Sequence, residues 1–399
     1  MKVSFIGLGY IGLPTAIVAA AKGLDVCGVD IDPGLVERLN AGQLPIHEPG
    51  LDELFRTVLA RGNFRAATRP EASDVFLIVV PTPIRENLAP DISFVETAAD
   101  SIAPCLKPGD LVILESTSPV GTTEKMRDRI VGRRPELAGN IRIAYCPERV
   151  LPGNLVYELE HNDRVIGGID EPSTRKAMEF YARFVKGSLH ATNARTAEMC
   201  KLVENSSRDV QIAFANELSI ICDRAGIDVW ELIGLANRHP RVNILQPGSG
   251  VGGHCIAVDP YFIIADFPRQ SQLITTARNV NNYKTEWCVG KIREAIAVFT
   301  EKHGRKPVTA LMGLAFKPDI DDLRESPAVH IAQSVISAGE SDFRIAEPNL
   351  PEHPLYRLTP FREAYEEADI VAFLVCHKEF RTLEKDSGKI ILDFCNVFE

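Results

Sequence analysis

The chain has 399 residues, 45 % of them hydrophobic, and this length predicts two or three domains rather than a single core. Its formal net charge of −10 argues against a nucleic-acid partner, because phosphate binding needs a basic surface. No apolar run reaches the ~18 residues of a membrane span, so no membrane partner is expected.

The amino terminus and the cysteines indicate the cytoplasm. Met1 leads directly into an apolar segment typical of a core strand, and no signal peptide precedes it. The nine cysteines are an odd number without CxxC pairs, which favours reduced thiols over disulfides or a metal site. We therefore expect a cytoplasmic protein that binds no metal.

The first 30 residues predict a dinucleotide-binding unit. An apolar strand, Lys2 to Ile6, runs into the sequence GLGYIG at 7–12, and an apolar helix pattern follows. A second strand, Asp25 to Val29, ends at Asp30, where a carboxylate can accept hydrogen bonds from the ribose of NAD and repel the 2′-phosphate of NADP. The alternative is a tight glycine turn without a ligand. The residues expected around NAD here are Gly7, Gly9, Tyr10, Ile11, Gly12 and Asp30.

Three further apolar segments predict strands: Val75 to Val80, Leu111 to Glu115 and Arg142 to Tyr145. Helical stretches separate them, as in a doubly wound parallel sheet, whose ligands bind outside the carboxyl ends of the strands. Thr82 and Thr117 follow two of these strands and are candidates for the cofactor, and Glu148 is a candidate for the reacting centre. A helix cap or a solvated side chain is the alternative for each.

A long helix is predicted from Asn193 to Ala225, with Gly226 ending it. About 30 helical residues span about 45 Å, which suits a connector between domains and the interface of a homodimer. Lys201 and Asn205 lie one helical turn apart and can face a site together, although a solvated face is the alternative. The polar connection that follows contains Arg241, whose guanidinium suits a phosphate.

The glycine-rich stretch from Gly248 to Pro260 presents a thiol, Cys255. Its glycines at 250, 252 and 253 permit positive φ and close approach of the main chain to a substrate. Asp259 follows Cys255 by four residues, so one helical turn would place both on the same side, where the carboxylate can move protons. The alternative is a cysteine that packs as a small hydrophobic residue.

Residues 305–399 repeat the strand and helix alternation after a helix predicted from Ile274 to His303. The predicted elements are strands at Val308 to Leu314, Phe343 to Ala346, Ile370 to Val375 and Lys389 to Asp393, and a helix at Pro327 to Ala338. The dinucleotide glycines are missing, but Phe316, Lys317 and Arg324 follow the first strand, and the two cations suit a pyrophosphate. A second nucleotide ligand is expected, and a charged loop with internal salt bridges is the alternative.

These patterns predict an α/β protein with two Rossmann-like doubly wound domains joined by a long central helix and a helical middle region. The expected domains are 1–192 for NAD, 193–304 for the helical part with the thiol and the dimer surface, and 305–399 for the second nucleotide.

In this order, five blocks resemble the UDP-glucose/GDP-mannose dehydrogenase family from end to end: GLGYIG at 7–12, CPE at 146–148, Lys201 to Asn205, GGHC at 252–255, and FKP at 316–318 with RES at 324–326. The resemblance implies oxidation of the C6 alcohol of a UDP-sugar to a carboxylate with reduction of two NAD. It also implies that Lys317 and Arg324 hold UDP and that Arg241 reaches a substrate in the other subunit of a dimer. Segments 148–154, 237–247 and 250–260 are similar to bacterial members that oxidise UDP-N-acetyl-D-mannosamine.

A four-electron oxidation at one carbon needs a route from aldehyde to acid by hydride transfer, and a thiolate supplies it. Cys255 would form a thiohemiacetal and then a thioester that water hydrolyses. Lys201, with Asn205, suits the oxyanion of the tetrahedral species, and Asp259 and Glu148 are candidates for moving protons. The expected substrate contacts are Arg149, Val150, Leu151, Lys201, Asn205, Arg241, Asn243, Gly250, Gly252, Gly253, Phe316 and Lys317, and Arg324 is also expected to contact NAD.

Two departures from glucose-type members argue against UDP-glucose. Pro152 stands where they have a second acid, and Ala257 with Val258 stands where they have Pro-Lys. We therefore predict UDP-N-acetyl-D-mannosamine, with its C2 epimer UDP-N-acetyl-D-glucosamine as the near alternative and UDP-glucose as a weaker one. A two-electron β-hydroxyacid dehydrogenase would have no use for Cys255, and an NAD-responsive binding protein would show no turnover.

Overall fold

The computed structural model describes residues 1–150 and 153–398, which form two compact units. The first unit contains residues 1–204 and 261–266. The second contains residues 205–260 and the described residues from 267 onward. Among the described helices, none is both long enough and apolar enough to cross a membrane.

The first unit is built on one eight-stranded sheet. Its strands are β1 (Lys2–Ile6), β2 (Asp25–Val29), β3 (Phe64–Ala67), β4 (Val75–Ile78), β5 (Leu111–Leu114), β6 (Arg142–Tyr145), β7 (Arg164–Gly168) and β8 (Leu189–Asn193). The spatial order is β3-β2-β1-β4-β5-β6-β7-β8, and every neighbouring pair is parallel except β6 and β7. The strand order reverses between β1 and β4, which creates the crevice where such sheets bind nucleotides.

Helices cover both faces of this sheet, and two hydrophobic cores result. The helices are α1 (Gly12–Ala21), α2 (Pro33–Asn40), α3 (Leu51–Arg61), α4 (Ser93–Ile102), α5 (Thr122–Arg133), α6 (Leu155–His161) and α7 (Glu171–Tyr181). In β4 and β5, Leu77 and Ile113 enter one core and Phe76 and Val112 enter the other. Alternate residues of a strand point to opposite faces, so a strand buried on both faces reads as a continuous apolar run.

Four helices follow: α8 (Ala194–Ala225), α9 (Val229–Ala236), α10 (Asp259–Asp266) and α11 (Gln272–His303). The predicted long helix is confirmed, and Asn193 caps it because its Oδ1 accepts a hydrogen bond from the Thr196 N–H at 2.9 Å.

The remaining elements belong to a four-stranded parallel sheet in the second unit. They are β9 (Val308–Met312), α12 (Pro327–Ser337), β10 (Asp342–Ala346), α13 (Phe361–Glu367), β11 (Ile370–Phe373) and β12 (Ile390–Asp393). The order β10-β9-β11-β12 repeats the order β2-β1-β4-β5 of the first sheet. The α/β class with two Rossmann-like sheets is therefore confirmed, whereas the boundaries after residues 192 and 304 stay predictions.

The two sheets also share one loop geometry after their first strand. The Gly7 N–H donates to the Val29 carbonyl at 2.8 Å, and the Gly313 N–H donates to the Ala346 carbonyl at 2.8 Å. Both glycines have positive φ, 99° and 93°. An acid then accepts the next N–H in each case, Asp30 in the first sheet and Glu347 in the second.

Candidate active site

The glycine loop after β1 has the geometry of a dinucleotide site. A Cβ on Gly7 would lie 2.5 Å from the Val79 carbonyl oxygen, and one on Gly12 would lie 2.0 Å from the Gly7 oxygen. Packing of the chain against itself therefore requires these two glycines. A Cβ on Gly9 would meet no atom within 4 Å. Of the three loop glycines, only Gly9 has open space where a side chain would be. The loop therefore fits a pyrophosphate that approaches the backbone at Gly9.

Asp30 lies beside this loop and is half-buried. Its Oδ2 accepts the Leu8 N–H at 2.9 Å, and its Oδ1 accepts the Asp32 N–H at 3.0 Å. A carboxylate has about four acceptor positions, so two remain for the hydroxyls of a ribose. The residue expected to contact NAD therefore also holds the glycine loop.

Thr82 and Thr117 follow β4 and β5, and the structure brings them together. The Thr82 hydroxyl donates to the Thr117 carbonyl at 2.6 Å, and both side chains are half-buried. The N-terminus of α5 nearby is occupied by the chain itself, because the buried Glu198 carboxylate accepts the N–H groups of Gly121 and Thr123 at 2.6 and 2.7 Å. Phosphate therefore has no access to that helix end.

Tyr10 and Glu48 join the glycine loop to a distant segment. The Tyr10 hydroxyl donates to the buried Glu48 carboxylate, which also accepts the Gly153 N–H at 3.0 Å. Gly153 directly follows the stretch expected beside the sugar, of which Leu151 and Pro152 lie outside the described residues. Sequence reasoning missed Glu48, because its partners lie far away along the chain.

The remaining candidates of that stretch contact the protein. Val150 packs against the core of the first unit, and Ile11 of the glycine loop does the same. Arg149 forms an ion pair with Glu204 at 2.9 Å and donates to the Asp163 carbonyl. Contact of Arg149 and Val150 with a sugar stays a prediction.

Glu148 is buried immediately after β6, and both of its oxygens are engaged. Oε2 lies 2.6 Å from Nη1 of Arg164, whose side chain is 1 % exposed, and Oε1 accepts the Arg149 N–H at 2.7 Å. The carboxylate is therefore held beside Arg164 as a buried ion pair, and its hydrogen bond is the one from the Arg149 N–H to Oε1. Sequence reasoning missed Arg164, since an arginine that opens a strand gives no sign that it is buried.

In the second unit, the structure brings Asn205, Cys255 and Asp259 together. The Cys255 carbonyl accepts the N–H groups of Val258 and Asp259 at 3.0 and 2.8 Å, so a helical turn joins the thiol to the acid, as predicted. Asn205 Nδ2 donates to Asp259 Oδ2 at 2.5 Å. Cys255 is half-buried, and Asp259 is almost fully buried. Lys201 lies on α8, one turn before Asn205, and is half-buried.

The glycines before Cys255 are explained by contacts within the chain, which differs from the expectation that they serve a substrate. A Cβ on Gly250 would lie 2.9 Å from Pro327, and one on Gly252 would lie 2.7 Å from the same ring. A Cβ on Gly253 would lie 2.8 Å from the Phe316 ring. Close packing against the start of α12 and against Phe316 is thus a sufficient reason for these glycines, and their contact with a substrate stays a prediction.

A buried polar network connects α8 and α11 to this loop. Arg278 Nη1 and Asn281 Nδ2 donate to the Asp209 carboxylate at 2.6 and 2.7 Å. Asn281 Oδ1 accepts from Asn216, whose own Oδ1 accepts the Gly248 N–H at 2.9 Å. Burial raises the pKa of Asp209, and the charge of Arg278 opposes that change. The cluster of asparagines at 279–282 was the only sign of this network in the sequence.

An open cavity of about 500 Å³ lies beside the same loop in the second unit. Its lining residues are Arg208, Ile212, Asn237, Asn243, Ile244, Leu245, Gln246, Pro247, Gly248 and Gly250. Of these, Asn243 and Gly250 are predicted substrate contacts, and Arg208 supplies a cation that sequence reasoning missed. Asn237 shapes the wall, because its side-chain amide exchanges two hydrogen bonds with the backbone of Ile244, at 2.7 and 3.0 Å. Arg241 is exposed.

The loop after β9 contains both predicted phosphate ligands. Lys317 is exposed, whereas Arg324 forms an ion pair with Asp322 at 2.6 Å. The loop therefore contains an internal salt bridge, as expected if it is a charged loop rather than a phosphate site. His377 fixes the loop, because its Nδ1 accepts the Asp319 N–H at 2.9 Å.

Glu347, the counterpart of Asp30, is fully engaged by the protein. It accepts N–H groups of Leu314, Ala315 and Asn349 at 2.7 to 3.0 Å and pairs with His377 Nε2 at 3.0 Å. Burial alone would raise the pKa of Glu347, but His377 and the backbone donors lower it below its usual value.

Comparison with known proteins covers the whole chain. Three models of the UDP-glucose/GDP-mannose dehydrogenase family match: the NAD binding domain at 1–185, the central domain at 195–283 and the UDP binding domain at 310–399. A UDP-N-acetyl-D-mannosamine dehydrogenase of Yersinia pestis is 51 % identical, over 97 % of this chain and 96 % of its own length. An NDP-N-acetyl-D-galactosaminuronic acid dehydrogenase of Ralstonia nicotianae is 50 % identical, over 98 % of this chain and 95 % of its own length. Among solved structures, a UDP-D-ManNAc dehydrogenase from Pyrococcus horikoshii is 38 % identical, with a TM-score of 0.88 over 100 % of this chain and 96 % of that one.

Proposed function

Because the chain belongs to the UDP-glucose/GDP-mannose dehydrogenase family, we propose that it oxidises the C6 alcohol of UDP-N-acetyl-D-mannosamine to the carboxylate. As an NAD-dependent nucleotide-sugar dehydrogenase, it uses two NAD for this change. The observation that carries the proposal is the Asn205–Asp259 hydrogen bond, which holds an amide and an acid at the turn that presents Cys255. Relatives with this substrate in their names, at 51 % identity, support the sugar.

The proposed chemistry uses NAD only as the acceptor of two hydrides from C6. The first oxidation converts the alcohol to an aldehyde and releases a proton. The Cys255 thiolate adds to the aldehyde carbon, and the oxyanion that forms is stabilised by Lys201 and Asn205. Loss of the second hydride leaves a thioester, and water replaces the sulfur to give the carboxylate, the thiol and a proton. Asp259, which Asn205 contacts, and Glu148, which pairs with Arg164, would accept protons in these steps.

Cofactor preference tests the role of Asp30. We expect kcat/KM to be at least ~100-fold higher with NAD than with NADP, because a phosphate beside this carboxylate repels it. The change Asp30→Asn should narrow the ratio, since it removes the charge and keeps one acceptor oxygen. Asp32→Asn is the matched control, because Asp32 is an exposed neighbour that only caps α2. Equal kcat/KM values for the two cofactors in the unchanged protein would remove Asp30 from its role.

The identity of the sugar is tested with a panel of nucleotide sugars. We expect UDP-N-acetyl-D-mannosamine to be oxidised best and UDP-glucose to be poorer by at least ~100-fold, because the stretch with Pro152 lacks the second acid that a free hydroxyl would pair with. NADH absorbance measures the rates, and mass and NMR identify the uronic acid. Rapid oxidation of UDP-glucose would contradict the acetamido sugar.

A second candidate is an acetamido sugar of another configuration. The relative from Ralstonia nicotianae, whose name gives a galacto sugar, is as similar to this chain as those that act on the manno sugar. The panel therefore includes UDP-N-acetyl-D-galactosamine and UDP-N-acetyl-D-glucosamine. Preference for either would change the epimer and leave the reaction as proposed.

We also propose a homodimer in the cytoplasm. Phe214 and Ile221 are 51 % and 54 % exposed on α8 and lie seven residues apart, so they share one helix face. A second copy of the chain would cover them, and Arg241 is exposed and available to reach the partner's substrate. All nine cysteines are free, which agrees with a reducing compartment.

A further inference from the structure

Three charged side chains and a tyrosine are buried together in the first unit. They are Glu115, at the end of β5, Glu148, after β6, Arg164, which begins β7, and Tyr181, at the end of α7. Of these, only Glu148 has a role in the proposed reaction. Arginine and glutamate are rarely buried without a partner, so each contact in the group carries weight.

The contacts form a chain with Arg164 at its centre. Arg164 Nη1 lies 2.6 Å from the Glu148 carboxylate, and Nη2 donates to the Leu159 carbonyl at 3.1 Å. The guanidinium carbon lies 5.3 Å from the centre of the Tyr181 ring, within cation–π distance. The Tyr181 hydroxyl donates to Glu115 Oε1 at 2.6 Å. The same tyrosine therefore contacts both the guanidinium and the second carboxyl.

The charges in this group are unequal in number. Two carboxyls, Glu115 and Glu148, share one guanidinium, and no second cation lies among the described groups that act on Glu115. Burial, above all, raises the pKa of Glu115 to about 7; the charge of Arg164 lowers it, the charge of Glu148 raises it, and the Tyr181 hydrogen bond lowers it. Burial also raises the pKa of the neighbouring Cys146 thiol to about 12, so that group stays neutral.

We propose that Arg164 and Glu115 are positioning residues of the oxidation: Arg164 aims the Glu148 carboxylate, and Glu115 controls how firmly Arg164 does so. The inference rests on the proposed function, because it assumes that Glu148 acts in the reaction. When Glu115 is neutral, the guanidinium is attracted to Glu148 alone. When Glu115 is ionised, the guanidinium is attracted to two carboxylates, and its hold on Glu148 weakens.

Arg164→Lys tests the first half of the proposal. Lysine keeps the charge but loses the fork that contacts Glu148 and the Leu159 carbonyl together. We expect kcat to fall about 10- to 100-fold, as small displacements of a reacting group do, while the Kd for NAD changes less than twofold. Arg175→Lys is the matched control, because Arg175 forms an exposed ion pair on α7. A kcat within twofold of the unchanged protein would overturn the role of Arg164.

Glu115→Gln tests the second half through the pH profile. Glutamine mimics the neutral carboxyl at every pH and keeps an acceptor for Tyr181. The ratio of variant to wild-type kcat should be near one at about pH 6 and rise at least ~3-fold by about pH 8.5, where wild-type Glu115 is ionised. A ratio that stays flat with pH would overturn the control by Glu115. Tyr181→Phe removes the hydrogen bond that lowers the pKa of Glu115. In this variant, the bend in the plot of kcat against pH should therefore lie at a higher pH than in the wild type.

Thermal unfolding separates this inference from the proposed function, since it needs no substrate. The folded-state pKa of Glu115 is raised above its unfolded value. Its contribution to the free energy of unfolding is therefore present at low pH and is lost as pH rises through about 7. The difference in Tm, Glu115→Gln minus wild type, should therefore increase by several degrees between pH 5 and pH 8. A constant difference in Tm, in a wild type that does oxidise the sugar, would overturn the inference and leave the proposed function standing. A wild type that oxidises no nucleotide sugar would overturn the proposed function and, with it, the positioning roles.

Discussion

Cys255→Ser is expected to lower the rate of carboxylate formation by about 10³-fold or more while NAD and the nucleotide sugar still bind. Serine is nearly isosteric with cysteine, so the turn closed by the Asp259 N–H should persist. A hydroxyl, however, is not a nucleophile at neutral pH without a base that deprotonates it. The variant should therefore stop at one NADH per sugar, which single-turnover absorbance and mass analysis of the product can measure.

The matched control is Cys105→Ser, because Cys105 is also half-buried and lies in a short helical turn of the first unit. It should keep both hydride transfers. If Cys255→Ser still yields two NADH per sugar at nearly the normal rate, the thioester route is wrong.

Lys201→Ala is expected to lower kcat by ~100-fold or more, because removing one donor to an oxyanion costs about 3 kcal/mol of transition-state stabilisation. The Kd for NAD should change little. Steady-state rates with the sugar, together with NAD titration by fluorescence, measure the two effects separately. Lys302→Ala, an exposed lysine in the last turn of α11, controls for loss of a helical lysine. A kcat within fivefold of normal would place the oxyanion elsewhere.

Local patterns predicted most of the fold. β1, β2, β4 and β5 are short apolar runs bounded by polar loops, and both faces of each are buried, so composition alone identifies them. β3, β7 and β8 were missed. β7 begins with Arg164, which is buried because Glu148 pairs with it, and β8 is a largely exposed strand with the sequence LHATN. Neither feature has a local signature.

The site shows the same division between local and distant contacts. Cys255 and Asp259 are four residues apart, and helical periodicity was enough to join them. The Asn205–Asp259 hydrogen bond spans 54 residues, and the ion pair of Asp209 with Arg278 spans 69. Such pairs depend on how helices pack, which a single sequence does not encode in its spacing. Glycines 250, 252 and 253 were expected to contact a substrate; close packing against Phe316 and Pro327 is a second reason for them that the sequence did not reveal, and the substrate contact stays a prediction.

The second sheet repeats the strand order of part of the first, but the carboxylates that follow β2 and β10 differ in how many hydrogen bonds they can still accept from a ligand. Asp30 keeps free acceptor positions, so a ribose diol can compete for them. The acceptor positions of Glu347 are occupied by three backbone N–H groups and by His377. The hydroxyls of a ribose bound at the second sheet would therefore have no free acceptor on Glu347. The acid after β10 is thus tied into the fold, in part by His377, which is fully buried, whereas the acid after β2 can still accept from a ligand.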